Sequence, residues 1–176
     1  GNARDPRSVM TSGAAISVVA SQPDLAVFAP FGAFLEPPGE VGGRASFQDW
    51  LEPIAGLAPS YHLNRAPAST LPVTVDRVER HPHATQLFLP VCVSRYLVTV
   101  MPSDVDGAPD VEKARSFILP GSLGVAYHPG TWHTGISPLD VEGSFAVMMW
   151  RGAEDDDVFA DIPTLQILDG EGAPRG

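Results

Sequence analysis

A chain of 176 residues with 44% apolar and 18% charged residues has the length and composition of a single globular domain. Its formal net charge of −10, with only 11 lysines and arginines, argues against nucleic acid as a partner, because neutralising phosphates requires cations. No apolar run reaches the roughly 18–20 residues that span a bilayer, so no membrane partner is expected. Prolines (18) and glycines (17) are spread along the chain, which favours many short strands joined by turns.

The chain is predicted to begin with a flexible tail over residues 1–13, where the residues are small and polar. Residues 14–170 are predicted to form one domain, and residues 171–176 a second flexible tail. The domain is predicted to open with a strand over residues 16–20. A short helical turn through Phe28, capped by Ser21 or Asp24, and a strand over residues 31–36 are predicted to follow.

Strand signals are strongest after residue 72. A strand is predicted over residues 72–79. Residues 85–93 and 95–101 are predicted to pair as a buried hairpin, because both are dense in Leu, Val, Phe and Tyr. Because Cys92 is the only cysteine, no internal disulfide can form, which is compatible with a cytoplasmic location. Cys92 is expected to be buried in this apolar region.

A helical turn over residues 111–115 and strands over residues 115–119, 124–128 and 144–151 complete the pattern. The last strand has apolar residues on both faces, which predicts a central position in its sheet. The acidic run at residues 154–157 is expected to be a solvated loop. About eight or more short strands with little helix favour an all-β sandwich or small barrel of the jelly-roll type.

Four of the five histidines fall in two short segments. His81 and His83 follow the strand that ends at residue 79, and alternate residues of a strand point to the same side. His128 and His133 flank a Pro-Gly turn that can fold the chain back. Since neutral imidazole binds divalent transition metals, the clustering predicts a polar pocket, with His81, His83 and His133 as possible metal ligands.

Other side chains could complete such a pocket. Gln86 and Glu79 could each add an oxygen ligand. Arg65 is a candidate partner for a substrate carboxylate, and Arg151 could line the pocket from the end of its strand. The alternative for each arginine is a solvated surface position. Tyr127 and Trp132 would supply apolar walls, or else belong to the ordinary core.

Several short motifs resemble those of the ureidoglycolate lyase family in the same order along the chain. They are Asn-Arg-Ala at residues 64–66, Glu-Arg-His-Pro at 79–82, Tyr-His-x-Gly-x-Trp-His at 127–133 and Arg-Gly at 151–152. The resemblance is dense over residues 63–91 and 124–152. Any one of these motifs is weak by itself, whereas their combination is specific.

The resemblance implies a cupin-like jelly-roll β-barrel with a few short helices. Such proteins are usually homodimers that release urea and glyoxylate from ureidoglycolate, in allantoin and purine breakdown. It implies a carboxylate-bearing small-molecule substrate and a possible divalent metal, nickel or another. The residues expected around the reacting centre are His81, Gln86, His128 and His133. The residues expected to bind the substrate are Asn64, Arg65, Tyr127, Trp132 and Arg151.

Three residues depart from the family pattern. Thr134 and Trp150 stand where family members often carry His and Asp, and His83 is a histidine that they usually lack. Two alternatives therefore stay open. One is a cupin isomerase or oxygenase acting on another small hydroxy- or keto-acid. The other is a non-catalytic cupin that binds a small acid.

Overall fold

The computed structural model of the chain describes residues 15–170. The predicted flexible tails, residues 1–13 and 171–176, lie outside this part. Strands dominate the described residues, with one short helix, α1 (Leu25–Phe28), and 3₁₀ turns at Gln48–Trp50 and Val111–Lys113. The strands are β1 (Ile16–Ala20), β2 (Gly32–Leu35), β3 (Ala58–Ala66), β4 (Val73–Arg80), β5 (Gln86–Cys92), β6 (Arg95–Met101), β7 (Arg115–Pro120), β8 (Gly124–Tyr127), β9 (Trp132–His133), β10 (Ser137–Pro138), β11 (Gly143–Arg151) and β12 (Val158–Asp169).

These strands form two sheets. The large sheet has the order β1-β12-β4-β9-β6-β10, with β7 also paired to β6, and the small sheet has the order β2-β8-β5-β11-β3. The large sheet curls until β1 meets β7, where Ser21 bridges to Phe117. This architecture confirms the all-β, cupin-like prediction. Among residues 15–170, no helix has the length and apolar character that crossing a membrane requires.

Strand β6 is buried on both of its faces and separates two apolar cores. Tyr96, Val98 and Val100 point into the core between the two sheets. Leu97 and Met101 point the other way, into a second core inside the curl of the large sheet. Because successive side chains of a strand alternate between its faces, an unbroken apolar run is what a strand between two cores requires.

The predicted hairpin of residues 85–93 and 95–101 is wrong. β5 lies between β8 and β11 in the small sheet, whereas β6 pairs with β7 in the large sheet. The connection at Val93 and Ser94 therefore carries the chain from one sheet to the other. Both strands are apolar, and apolar density does not distinguish pairing within a sheet from packing between sheets. The expected burial of Cys92 is also wrong: β5 leaves the core at its end, and Cys92 is exposed.

Other local predictions are confirmed. The Asp24 side chain accepts a hydrogen bond from the Val27 backbone N–H at 3.1 Å and caps α1. β11 has strands on both sides, as its two apolar faces predicted. Four strands were not predicted, and two of them, β9 and β10, have only two residues each. β12 contains Pro163 and a register shift between Asp161 and Leu165, and β3 is largely exposed, so neither shows a clean apolar alternation.

Candidate active site

Two neighbouring strands of the large sheet bring Glu79 and His133 together. β9 is a two-residue strand held between β4 and β6, and its register places His133 directly opposite Glu79. On β4, Glu79 points into the space between the sheets, because its neighbour Val78 points into the second core. His81 follows β4 immediately, two positions after Glu79, and therefore lies on the same side.

Glu79, His81 and His133 form a compact cluster. One ligand atom from each lies within 4.8 Å of the others. The Nε2 atom of His133 is 3.5 Å from Oε1 of Glu79, and the rings of His81 and His133 are 5.1 Å apart at their centroids. Both histidines are buried, with 4% and 1% of their surface exposed. The cluster thus gathers two buried imidazoles and a carboxylate whose side chain is 25% exposed.

His133 is fixed so that one ring nitrogen is available. Its ring stacks on Tyr127 at 4.3 Å, and its Nδ1 donates to the backbone carbonyl of Thr131 at 3.0 Å. Since Nδ1 carries the proton in the neutral ring, Nε2 presents a lone pair. Among the described residues, 15–170, this buried Nε2 finds no hydrogen-bond partner. An unpaired buried polar group costs roughly 1–3 kcal/mol, which indicates that Nε2 is held for a ligand or a reaction.

His81 lies among hydrogen-bond acceptors. Its Nδ1 is 3.0 Å from the carbonyl oxygen of Asp156 and 3.0 Å from Oδ1 of Asp157. Its Nε2 is 2.9 Å from Oε1 of Gln86. Acceptors at both nitrogens favour a protonated ring, whereas burial and the neighbouring His133 lower the pKa of His81. A proton bound here is well oriented and easily released.

The ionisation of Glu79 suits the cluster to a cation. The adjacent His133 ring lowers the pKa of Glu79, against the opposing effect of burial. Each histidine places its Nδ1 against a backbone carbonyl, the arrangement that orients metal-ligating imidazoles. A carboxylate with two imidazoles suits a divalent transition metal. These three side chains could therefore hold a metal ion.

Arg151 lies beside the cluster at the end of β11. Its Nη1 donates to Oδ1 of Asp157 at 3.0 Å and its Nη2 donates to Oδ2, while Asp157 also contacts His81. This ion pair raises the pKa of Arg151. The Arg151 side chain is 36% exposed, so solvent reaches this side of the cluster. Its unused N–H donors can bind a carboxylate there.

Arg65 is not brought to this cluster. It pairs with Ser144 on β11. Ser144 is seven residues from Arg151, or about 23 Å along the strand. The Arg65 side chain is 70% exposed, and its guanidinium forms an ion pair with Glu142. Asn64, its neighbour, accepts a hydrogen bond from the Phe145 backbone N–H at 3.2 Å. Both residues lie at the opposite end of β3 from the cluster.

Two of the predicted histidines also lie outside the cluster. The Nε2 of His83 is 2.6 Å from Oδ1 of Asp155, and both side chains are exposed. His128 stacks on Trp50 at 5.1 Å, and its Nε2 is 3.1 Å from the Ala29 carbonyl oxygen. His128 therefore fastens the loop that carries Trp50 to the body of the fold.

Tyr127 and Trp132, the two predicted aromatic walls, lie in different cores. Tyr127 stacks on His133 and belongs to the core between the sheets. Trp132 points into the second core, under the guanidinium of Arg80 at 4.5 Å from the ring centroid. Adjacent residues of β9 point in opposite directions, so the Trp-His pair puts only the histidine into the cluster.

Two contributors to the site were missed in the sequence. The acidic run at residues 154–157 was expected to be a solvated loop, yet Asp156 and Asp157 both contact His81. The Asp156 side chain accepts from the backbone N–H groups of Gly152 and Ala153, which folds the loop back over the cluster. No motif in the sequence signals this return.

Comparison with known proteins gives a consistent result. The family model described as ureidoglycolate lyase matches residues 16–165. A ureidoglycolate lyase of Pseudomonas savastanoi pv. phaseolicola is 35% identical over 108 residues, which cover 60% of this chain and 62% of that protein. One of Burkholderia mallei is 35% identical over 132 residues, covering 70% and 76%. One of Schizosaccharomyces pombe is 35% identical over 104 residues, covering 56% and 53%.

Proposed function

The chain belongs to the ureidoglycolate lyase family, and on that premise we propose that it releases urea and glyoxylate from ureidoglycolate, a step of allantoin and purine breakdown. The observation that carries the proposal is the convergence of His133 Nε2, Glu79 and His81 beside the guanidinium of Arg151. These groups supply proton transfer and carboxylate binding in one place, which is what this substrate requires.

Ureidoglycolate carries a hydroxyl, a carboxylate and a ureido nitrogen on one carbon. When urea leaves, the hydroxyl loses its proton and its oxygen forms the C=O bond of glyoxylate. The C–N bond breaks, and the nitrogen keeps the electron pair and takes up a proton. One base and one acid are sufficient, and no water is consumed.

The two buried imidazoles suit these two roles. We assign the base to His133, because its buried Nε2 carries a lone pair that no hydrogen bond from residues 15–170 occupies. We assign the acid to His81, because both of its nitrogens face acceptors while burial lowers its pKa. Gln86 can form a hydrogen bond with His81 in both protonation states of the ring. Its amide oxygen accepts from a protonated Nε2, and its amide nitrogen can donate to a deprotonated one.

Glu79, His81 and His133 would also be the residues that hold a divalent metal, with nickel as our first candidate. A bound divalent ion would polarise the substrate oxygens and lower the pKa of the hydroxyl. The imidazoles could serve proton transfer or metal binding. Elemental analysis, together with turnover measured before and after treatment with a chelator, distinguishes these two roles. Full activity in metal-free protein supports acid and base roles, whereas loss that added Ni²⁺ restores supports ligand roles.

We propose Arg151 as the anchor of the substrate carboxylate, in place of Arg65. Arg151 to Gln should raise KM about 10- to 100-fold, because a hydrogen bond to a charged group contributes about 1.5–3 kcal/mol. Arg65 to Gln is the matched control, since Arg65 is exposed and pairs with Glu142 far along β11. A large KM effect of the Arg65 variant with none for Arg151 would reverse the assignment.

A substrate panel tests the activity itself. Purified protein is incubated with ureidoglycolate, with other 2-hydroxy acids and with 2-oxo acids, and each product is quantified. Turnover of ureidoglycolate alone supports the proposal. Turnover of another acid instead would favour the alternative of a cupin isomerase or oxygenase. Saturable binding without turnover of any member would favour a small-acid-binding protein.

We further propose a homodimer, with the outer face of β3 as the contact. Within the part of the chain that the structure describes, β3 pairs with β11 only, and its residues Tyr61 and Leu63 are 66% and 72% exposed. Exposed apolar side chains on an open strand edge favour pairing with a second copy. Leu63 to Glu should convert a dimer into a monomer in light scattering, whereas a monomeric wild type would refute the contact. The cytoplasmic location stays a prediction.

A further inference from the structure

Asp157 contacts two residues of the proposed site at once. Its Oδ1 lies 3.0 Å from Nδ1 of His81 and accepts a hydrogen bond from Nη1 of Arg151 at 3.0 Å. Its Oδ2 accepts from Nη2 of Arg151. One carboxylate thus joins the proposed carboxylate anchor to the proposed general acid. It lies on the side of His81 away from Gln86, since Gln86 is bonded to Nε2.

The loop that carries Asp157 is itself fixed in place. Asp156 accepts from the backbone N–H groups of Gly152 at 2.7 Å and Ala153 at 3.1 Å. Gly152 has a φ of 135°, a conformation that favours glycine. The same turn presents the Asp156 carbonyl oxygen to His81 at 3.0 Å. The loop between β11 and β12 therefore approaches the site as a preformed unit.

We propose that Asp157 is a positioning residue that fixes Arg151 and His81 relative to each other. This inference rests on the proposed function. The two groups must act on opposite ends of one small substrate, the carboxylate and the leaving nitrogen. A displacement of about 1 Å in such an arrangement can cost about 10²-fold in rate. A carboxylate bonded to both groups restricts that displacement directly.

The kinetic test compares Asp157→Asn with Asp155→Asn. An asparagine at 157 places its NH₂ against a donor in either orientation, facing Arg151 Nη2 in one and His81 Nδ1 in the other. We expect kcat to fall and KM to rise, each about tenfold or more. Asp155 lies in the same loop, and its partner is the exposed His83. Asp155→Asn should change both constants by less than about twofold.

Two further measurements exclude a merely structural role. Thermal unfolding of Asp157→Asn shows whether the fold persists at the assay temperature. If it does not, Asp157→Glu replaces it: that variant keeps the charge, and we expect it to keep the thermal midpoint and lose kcat. In ¹⁵N-histidine NMR, the Nδ1 proton of His81 should exchange with water at least about tenfold faster in Asp157→Asn than in Asp155→Asn.

The NMR comparison needs no substrate, so it separates this inference from the proposed function. Faster exchange at His81 without any turnover of ureidoglycolate would support the positioning of His81 and refute the assigned substrate. Unchanged exchange at His81 in Asp157→Asn would overturn the inference. Equal kinetic constants for Asp157→Asn and Asp155→Asn in folded protein would also overturn it.

Discussion

Replacing His133 by asparagine separates its chemical role from its structural role. An asparagine amide reaches about as far as Nδ1 of the histidine ring, so it can still donate to the Thr131 carbonyl. It has no group at the position of Nε2, the nitrogen that faces Glu79 at 3.5 Å. The substitution therefore keeps the hydrogen bond that orients the side chain and removes the atom assigned to proton transfer or metal binding.

The expected effects on activity and stability differ strongly in size. Loss of a general base lowers kcat about 10²- to 10⁴-fold. The stack on Tyr127 at 4.3 Å contributes roughly 0.5–1.5 kcal/mol, which the variant loses. Removal of the unpaired Nε2 returns about 1–3 kcal/mol of desolvation cost. The two terms oppose each other, so the free energy of unfolding should change by no more than about 2.5 kcal/mol.

Steady-state urea release and urea-induced unfolding measure the two quantities on the same preparation. His133→Gln is the matched variant, because its longer amide reaches the Nε2 position and gives up the bond to Thr131. We expect it to be the less stable of the two. A wild-type kcat in His133→Asn would refute the role of Nε2 in proton transfer or metal binding. A loss of activity that tracks unfolding would show that His133 is only structural.

In chelator-treated protein, the thermal midpoint should fall as the pH drops below about 6.5. The folded pKa of His81 is lowered from its ordinary value of 6.5, so the unfolded chain binds its proton first; His81→Gln should flatten this slope. Asp24→Ala should lower the free energy of unfolding in urea by about 1 kcal/mol, whereas Asp24→Asn should retain the cap. A Cβ at Gly32 would lie 1.8 Å from the Ala126 carbonyl oxygen, so Gly32→Ala should destabilise by at least about 1–3 kcal/mol. Gly39→Ala, which meets nothing within 4 Å, should be close to neutral.

The sequence was sufficient where local chemistry determines the structure. The cap at Asp24, the strand periodicity of residues 72–79 and the apolar faces of β11 each depend on neighbouring residues. The family resemblance, carried by motifs at residues 64–66, 79–82 and 127–133, is confirmed by the match over residues 16–165. Local pattern and motif order together therefore predicted the fold class.

Pairing between distant strands could not be predicted in the same way. An apolar run such as β5 or β6 fits a hairpin and a sandwich equally well, because both arrangements bury it. β12 was missed because Pro163 and the bulge after Asp161 interrupt its alternation. Which partner a strand chooses depends on the packing of the whole domain, and that information is not local.

The residues of the site could likewise be predicted only in part from the sequence. His81, His133, Gln86, Tyr127 and Arg151 all lie at or next to the cluster that the structure assembles. The acidic loop after β11 was not anticipated, because its contact with His81 spans about 75 residues of chain. Short motifs thus identified most of the residues that the structure brings together at the cluster, whereas the contact of the acidic loop with His81 emerged only from the folded structure.

The measurement that tests the central claim most directly is the stoichiometry of products from ureidoglycolate. Urea, glyoxylate and ammonia are quantified over a time course with the purified wild-type protein. Cleavage of the C–N bond at the hydroxyl-bearing carbon predicts urea and glyoxylate in equal amounts, with no ammonia. Release of ammonia in place of urea, or no turnover by folded protein with and without added Ni²⁺, would contradict the account.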